Sequence, residues 1–303
     1  MSSAVKRVLV AGAGTMGLGV AKSFAASGFE TFVWSRRGAA VPGLPAGVRA
    51  SAELPAETPD LVIENLPEEV EVKRQAYRAL EAAYPPSTII ATNTSGLSLD
   101  ALAEGLAHPE RFLGAHYFQP ADVFPMVEVI AAAATSPEAV ARTAEAMRRT
   151  GKEPVLVRKP VEGYLINRLQ HALLHEAYHL IEIGAATPTE IDDIAKRLLG
   201  PRMCVTGVIE QKDLSGLKIH AAAQAALVPK LEHSGKPVRF LQEMAARGET
   251  GLKAGRGFYD WGACDAEAVT AQAAERLRRV LAFLAEGLGP DRPGTRPGTR
   301  TLA

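Results

Sequence analysis

Residues 7–34 read RVLVAGAGTMGLGVAKSFAASGFETFVW, and this stretch decides the fold. Arg7–Ala11 is a short apolar run, a glycine cluster follows it, Val20–Ala26 is an alanine-rich helical stretch, and Glu30–Trp34 is again strand-like. Strand, glycine turn, helix and strand within one short segment make a βαβ unit, the start of a parallel sheet. The turn spells GxGxxG in Gly12, Ala13, Gly14, Thr15, Met16 and Gly17. In that context Gly12 permits the tight turn, Gly14 lets the backbone approach a pyrophosphate, and Gly17 allows helix and strand to pack closely. The helix N-terminus offers its free N–H groups and positive dipole end to phosphate. All six residues are therefore cofactor-binding candidates. A plain glycine turn is the bland alternative, and the flanking strand and helix argue against it.

The end of the second strand bears on which dinucleotide binds. An NAD site places Asp or Glu there, on the ribose hydroxyls. This chain has Ser35, followed by Arg36 and Arg37. A carboxylate would repel a 2′-phosphate, whereas a hydroxyl and two guanidinium groups would bind one through charge-assisted hydrogen bonds. NADP(H) is favoured on this reading and NAD(H) remains possible, with the two arginines then solvated in the loop.

Outward from this unit, short apolar runs alternate with helical stretches: Leu61–Glu64, a helix over Val70–Ala83, Ser87–Thr92, a helix over Leu99–Leu106, Phe112–Tyr117, Val127–Ile130, a helix over Pro137–Thr150, and Val155–Val157. That alternation predicts a doubly wound parallel sheet covered on both faces. After Pro160 the pattern becomes helical, opening with a long amphipathic helix over Tyr164–Ile183 that breaks at Gly184. Thr187, Pro188 and Glu190 mark the next helix start as a capping box; helices are expected over Thr189–Leu199 and Asp213–Leu227. The fold class is thus α/β, an N-terminal Rossmann domain over 1–159 and a C-terminal all-α domain over 160–289. The last stretch, 290–303, contains PGTRPGTR and is expected to be a disordered tail.

Bulk properties narrow the function. Lys plus Arg and Asp plus Glu are 34 each, so the net charge is zero. This argues against a nucleic-acid surface and a polybasic membrane patch. No apolar run is long enough to cross a membrane, and no signal-peptide pattern opens the chain. A cytoplasmic protein is expected, with Cys204 and Cys264 as thiols in no metal spacing.

The chain resembles the 3-hydroxyacyl-CoA dehydrogenase family. The landmarks that carry the resemblance occur in order: GAGTMG (Gly12–Gly17), PEEVEVK (Pro67–Lys73), NTSGL (Asn93–Leu97), HYFQP followed by MVEVI (His116–Ile130), YLINR (Tyr164–Arg168) and GLKAGRGFYDW (Gly251–Trp261). The resemblance implies that His116 is the catalytic acid/base, Glu128 its orienting carboxylate, and Ser95 and Asn167 the groups that contact the reacting oxygen. It also places Glu68, Lys73, Ser95 and Lys253 at the cofactor. Gln119 stands where the family usually has Asn, one methylene longer.

These residue types suit hydride transfer. An alcohol that loses hydride must lose its hydroxyl proton too, which calls for a base with a pKa near working pH, and histidine qualifies. A carboxylate on its other nitrogen fixes the tautomer and stabilises the imidazolium. Ser95 and Asn167 would hold and polarise the oxygen. Without their motifs each residue has an ordinary structural reading: His116 a buried strand-end imidazole, Glu128 a strand-end carboxylate, Asn167 a helix-surface amide, Glu68 and Lys73 an exposed helix pair.

One departure concerns the substrate. Acyl-CoA-specific members of the family carry an extra helical pair between the second strand and the strand at Leu61–Glu64, and it helps hold CoA. Here that connection is short, proline-rich and loop-like, so a smaller hydroxy or oxo compound is expected, with Phe124-Pro125-Met126 resembling the small-substrate subgroup. An NAD-dependent 3-hydroxyacyl-CoA dehydrogenase and reductive amination of a ketone or imine are the alternatives. A homodimer through the C-terminal domain is expected.

Two readings from other classes compete. A nucleotide-binding protein without turnover is disfavoured by the intact His116, Glu128, Ser95 and Asn167 set. A zinc hydrolase is suggested by His175-Glu176-Ala177-Tyr178-His179, which matches HExxH on a helix that also carries His171. The pattern is short, and it falls where the dehydrogenase family has its domain-joining helix, so no metal is assigned.

Overall fold

The computed structural model describes residues 4–159 and 161–287, so the expected tail at 290–303 and the boundary residue Pro160 lie outside the described residues. The chain divides into two compact units that meet in sequence between Arg168 and Leu169.

The first unit is built on an eight-stranded sheet: β1 (Arg7–Ala11), β2 (Glu30–Trp34), β3 (Arg49–Ser51), β4 (Leu61–Glu64), β5 (Ile89–Thr92), β6 (Phe112–Tyr117), β7 (Met126–Ala131) and β8 (Glu153–Val157), in the order β3-β2-β1-β4-β5-β6-β7-β8. All neighbours are parallel except β6 and β7, which run antiparallel. The first six strands in space reproduce the 3-2-1-4-5-6 order of a dinucleotide-binding sheet. Helices α1 (Thr15–Ala26), α2 (Val70–Ala83), α3 (Leu99–Ala103) and α4 (Pro137–Arg149) connect the strands.

Alternation of side chains along each strand explains why both faces are apolar. On β1, Val8 and Val10 join one buried cluster with Val20 and Phe24 of α1 and Met147 of α4. Leu9 and Ala11 point the other way and join Tyr77 and Leu80 of α2 and Leu102 of α3. Each fully buried side chain of this size contributes about 1.5–3 kcal/mol. Helix starts follow the capping rules: Ser136 accepts from the Ala139 N–H with Pro137 at the first position of α4, and Ser98 accepts from the Ala101 N–H at the start of α3. The helix expected to reach Leu106 stops at Ala103, and Gly105 turns the chain with a positive φ. Strand β3 lies in the stretch that read as loop.

Helix α5 (Ile166–Glu182) carries the chain into the second unit, which continues with α6 (Pro188–Ile194), a π-turn at Ala195–Leu199, α7 (Gly200–Thr206), α8 (Glu210–Ser215), α9 (Leu217–Leu227), α10 (Arg239–Ala246) and α11 (Ala266–Gly287). The Thr187 capping box is present, with Glu190 returning the bond. The single helix expected over Asp213–Leu227 is two, because Gly216 adopts a φ of 94° between them. Within this unit Tyr178 stacks on Phe258, and Phe240 meets both edge-on. Among its described residues Ala177 alone is buried, while Ile209, Leu214, Ile219 and Phe283 are each at least 70% exposed.

Candidate active site

The glycine loop sits at the carboxyl end of β1, where open α/β sheets bind ligands. Gly12 has a φ of 110° and donates its N–H to the Trp34 carbonyl at 2.8 Å; a Cβ there would lie 2.5 Å from the Asn65 carbonyl oxygen. At Gly17 a Cβ would lie 2.0 Å from the Gly12 carbonyl oxygen. Both glycines are demanded by the fold itself. Gly14 is different: its φ is −77° and a Cβ would meet no protein atom within 4 Å. Nothing in the protein requires a glycine there, so the open approach to its backbone fits a ligand pyrophosphate. The N-terminus of α1, beginning at Thr15 and Met16, has no side-chain cap and no acidic residue in its first turn, as an anion cradle requires.

At the end of β2 the Ser35 N–H donates to Ser51 at 2.9 Å, and the Ser35 hydroxyl accepts from the Arg37 N–H at 3.3 Å. The Arg37 guanidinium donates to the Ala13 carbonyl at 2.8 Å. It thereby joins the strand end to the glycine loop. Arg36 is exposed beside it.

The carboxyl ends of β4 and β5 carry a polar network that the sequence did not announce. Glu64, closing the apolar run of β4, is fully buried and accepts from the Leu66 N–H, from Lys73 Nζ at 2.8 and 3.0 Å, from the Tyr77 hydroxyl at 2.7 Å and from the Thr92 hydroxyl at 2.7 Å. Burial, with the adjacent Glu64 charge, drives the Tyr77 phenol far above its ordinary pKa, so it stays a donor. Lys73 is also buried and reaches Glu68 Oε2 at 3.3 Å. Glu68 Oε1 in turn accepts from the Thr94 hydroxyl and from the Ser95 N–H at 2.9 Å. Partial burial works to raise the Glu68 pKa, but the Thr94 bond, the Lys73 charge and the Ser95 bond together hold it below the usual carboxylate value. Asn93 of the NTSGL segment braces the strand ends. It accepts from the Tyr117 N–H at 2.8 Å and donates to the Asn65 side chain at 2.7 Å, tying β6 to the β4 and β5 ends.

His116 and Glu128 face each other across the antiparallel β6–β7 pair. Both are buried, and His116 Nδ1 lies 2.8 Å from Glu128 Oε2. The other Glu128 oxygen accepts from the Leu165 and Ile166 N–H groups, at 2.9 and 3.0 Å, at the N-terminus of α5. Burial tends to raise the Glu128 pKa; the His116 bond and the two N–H groups overcome it and leave the carboxyl lower than usual. An ionised carboxylate only accepts hydrogen bonds, so the proton between them resides on Nδ1. The His116 ring also meets Phe118 edge-on at 4.9 Å and Tyr164 at 5.4 Å between centroids.

Asn167, in the first turn of α5, donates its side-chain amide to the Ser95 carbonyl at 3.1 Å. Ser95, Asn167, Glu128 and His116 are therefore connected through one loop and one helix start, and Glu68 and Lys73 join them through the Ser95 N–H. Gln119 is exposed and precedes a cis Pro120. Lys253 lies on a short 3₁₀ turn of the second unit and is exposed.

The HEAYH histidines face a carboxylate of their own unit. His179 Nδ1 and His175 Nε2 lie 3.6 and 4.0 Å from Glu232, whose N–H donates to Glu176 at 2.9 Å. Among the described residues no group of three or more His, Cys, Asp or Glu side chains is arranged to hold a metal. Both cysteines are free thiols, and no described helix is long and apolar enough to cross a membrane.

Residues 45–160 match the NAD binding domain of 3-hydroxyacyl-CoA dehydrogenase, and residues 163–261 match its C-terminal domain. The chain belongs to the 3-hydroxyacyl-CoA dehydrogenase family. It is 30% identical to 5-formyl-3-hydroxy-2-methylpyridine 4-carboxylate 5-dehydrogenase of Mesorhizobium japonicum, over 91% of this chain and 98% of that one. It is 31% identical to a probable 3-hydroxybutyryl-CoA dehydrogenase of Bacillus subtilis, over 85% of this chain and 98% of the relative. The crystal structure of a 5-formyl-3-hydroxy-2-methylpyridine 4-carboxylic acid 5-dehydrogenase, described as an NAD+-dependent dismutase, matches with a TM-score of 0.86 at 30% identity, covering 93% of this chain and 99% of that one. This dehydrogenase is accordingly a nicotinamide-dependent oxidoreductase with a Rossmann first half and a helical second half.

Proposed function

We propose that this dehydrogenase transfers a hydride between NADP(H) and a small hydroxy or oxo compound, with His116 as acid/base. The observation that carries the reading is the buried 2.8 Å contact between His116 Nδ1 and Glu128. With Nδ1 protonated toward the carboxylate, Nε2 is the nitrogen that takes the alcohol proton, or returns it to the ketone oxygen. Glu128 stabilises the resulting imidazolium. When bound, the nicotinamide supplies the hydride donor or acceptor. Ser95 and Asn167 hold the reacting oxygen, and the Asn167–Ser95 bond sets their spacing. Gly12 through Gly17 bind the pyrophosphate, with Ala13, Thr15 and Met16 contributing backbone, while Gln119 and Glu68, the latter backed by the buried Lys73, complete the cofactor contacts.

The preference for NADP(H) rests on Ser35 in place of a carboxylate, with Arg36 exposed and Arg37 anchored to the glycine loop. The preference for a small substrate rests on the short β2–β4 connection, which holds only a 3₁₀ turn and β3 where a helical pair would sit. The likeness to a pyridine carboxylate dehydrogenase at a TM-score of 0.86 supports it. An NAD-dependent reaction on acyl-CoA is the second reading, favoured by the likeness to the Bacillus subtilis relative. We further infer domains at 1–159 and 160–289, a cytoplasmic location, and a homodimer through the helical unit, whose exposed Ile209, Leu214, Ile219 and Phe283 lack a core of their own.

The deciding experiment is a screen of hydroxy acids, oxo acids and acyl-CoAs against both cofactors, followed by reduced-nicotinamide absorbance. Turnover of small acids with NADP(H) is the expected result; turnover of acyl-CoAs with NAD(H) alone would replace this reading with the second. Loss of activity on adding a chelator would revive the metal hydrolase.

A further inference from the structure

Tyr164 is the only non-glycine among the described residues with a positive φ, 50°. A bulky aromatic residue adopts the left-handed region only when its surroundings over-determine it, and such positions cluster at functional sites. Gly163 before it also has a positive φ, 75°, and the Tyr164 N–H closes a turn onto the Val161 carbonyl at 3.0 Å. Immediately after this turn the chain presents two consecutive N–H groups, of Leu165 and Ile166, to the same oxygen of Glu128. The Tyr164 side chain, meanwhile, is 3% exposed and lies 5.4 Å from the His116 ring, tilted at 56°. Its hydroxyl is buried and makes no hydrogen bond among the described residues.

We propose that Tyr164 is a positioning residue for the His116–Glu128 pair: its left-handed turn aims the Leu165 and Ile166 N–H groups at Glu128, and its ring backs the His116 imidazole. One residue thus fixes both partners, from the carboxylate side through the backbone and from the imidazole side through packing. Its importance for catalysis rests on the reading of His116 as acid/base; the positioning itself does not, and the test separates the two.

The readout is the downfield proton resonance of a carboxylate-bonded imidazole N–H in the full-length protein, assigned by its loss in both His116→Gln and Glu128→Gln. Tyr164→Phe, which keeps the ring, is expected to retain the resonance. Tyr164→Val, whose branched side chain resists positive φ, is expected to lose it. Tyr164→Gly accepts the backbone conformation without the ring and is expected to keep the resonance with proton exchange at least about tenfold faster than in Tyr164→Phe. A wild-type resonance in a folded Tyr164→Val overturns the backbone role. If Tyr164→Val does not fold, equal exchange in Tyr164→Gly and Tyr164→Phe overturns the proposal. Full turnover in His116→Ala would instead remove the acid/base reading and leave the resonance result standing.

Discussion

His116 and Glu128 are direct cross-strand neighbours on β6 and β7, joined at 2.8 Å on one side while the other Glu128 oxygen closes the N-terminus of α5. The strand reversal between β6 and β7 is what puts them opposite each other. The sheet register therefore sets the two backbones opposite each other. His116→Ala is expected to lower kcat by about 100- to 10,000-fold, the usual worth of a placed acid/base, with cofactor dissociation constants near wild type by fluorescence titration. Glu128→Gln, which keeps the shape but not the charge, is expected to cost at least about 100-fold. Full turnover in either variant would remove the assignment.

The glycine loop separates two requirements that share one motif. Gly17→Ala sets a Cβ 2.0 Å from the Gly12 carbonyl oxygen, so α1 cannot dock as it does. Overpacking of this kind costs about 1–3 kcal/mol, and the variant is expected to melt several degrees lower. Gly14→Ala meets no protein atom and is expected to melt with the wild type, yet to bind cofactor about tenfold or more weakly. Equal melting points and equal affinities in the two variants would contradict this division.

Cofactor choice is tested at the end of β2. Hydrogen bonds to charged groups are worth about 1.5–3 kcal/mol each, so Arg36→Ala with Arg37→Ala is expected to weaken NADPH by about tenfold or more and NADH only slightly. Ser35→Asp is expected to reverse the preference by restoring a carboxylate to the ribose. Parallel losses for both cofactors would refute a 2′-phosphate site.

Much of the first unit was legible because parallel strands buried on both faces read as apolar runs. Arg7–Ala11, Glu30–Trp34, Leu61–Glu64 and Phe112–Tyr117 form strands with those bounds. Strand β3 escaped because three partly exposed residues, Arg49–Ser51, carry no periodicity. The split of the Asp213–Leu227 stretch at Gly216 escaped because an isolated glycine does not always break a helix. At the site, motif order pointed to His116, Glu128, Ser95 and Asn167, which the fold links together. The Glu64 network was hidden because its members come from β4, α2 and β5, and each alone reads as an ordinary residue. The one available signal was a carboxylate closing an otherwise apolar strand.

Acid sensitivity of the candidate site follows from its two depressed carboxylates, Glu68 and Glu128. Glu68 and Glu128 both titrate below the ordinary value of 4.5 in the folded protein. The unfolded chain therefore binds more protons in that window, and stability rises with pH across it. Their contribution is complete above the unfolded value and is lost as pH falls through the folded values. Thermal melts from neutral pH downward are expected to show a steeper decline in the wild type than in Glu128→Gln. Identical slopes would mean that Glu128 gains nothing from His116 and α5.

The proposed homodimer is tested on the second unit, whose only buried described residue is Ala177. Leu214→Glu with Ile219→Glu is expected to shift sedimentation from dimer to monomer and to lower the melting temperature. A wild-type protein that sediments as a stable monomer at micromolar concentration would end the dimer reading.

The sheet ends in two strands that make poor templates. At one margin β3 is three residues long, and its Arg49 is held by Glu30 and Glu57 and lies over the Phe32 ring. At the other, β8 carries Pro154, which has no N–H to give to an incoming strand. A mostly parallel sheet that leaves the connection over its β2–β3 side this short would otherwise offer an open backbone row to a neighbouring molecule. A short charged strand and a proline guard it against that, so crowding and high expression should leave the protein dispersed and free of edge-to-edge fibres.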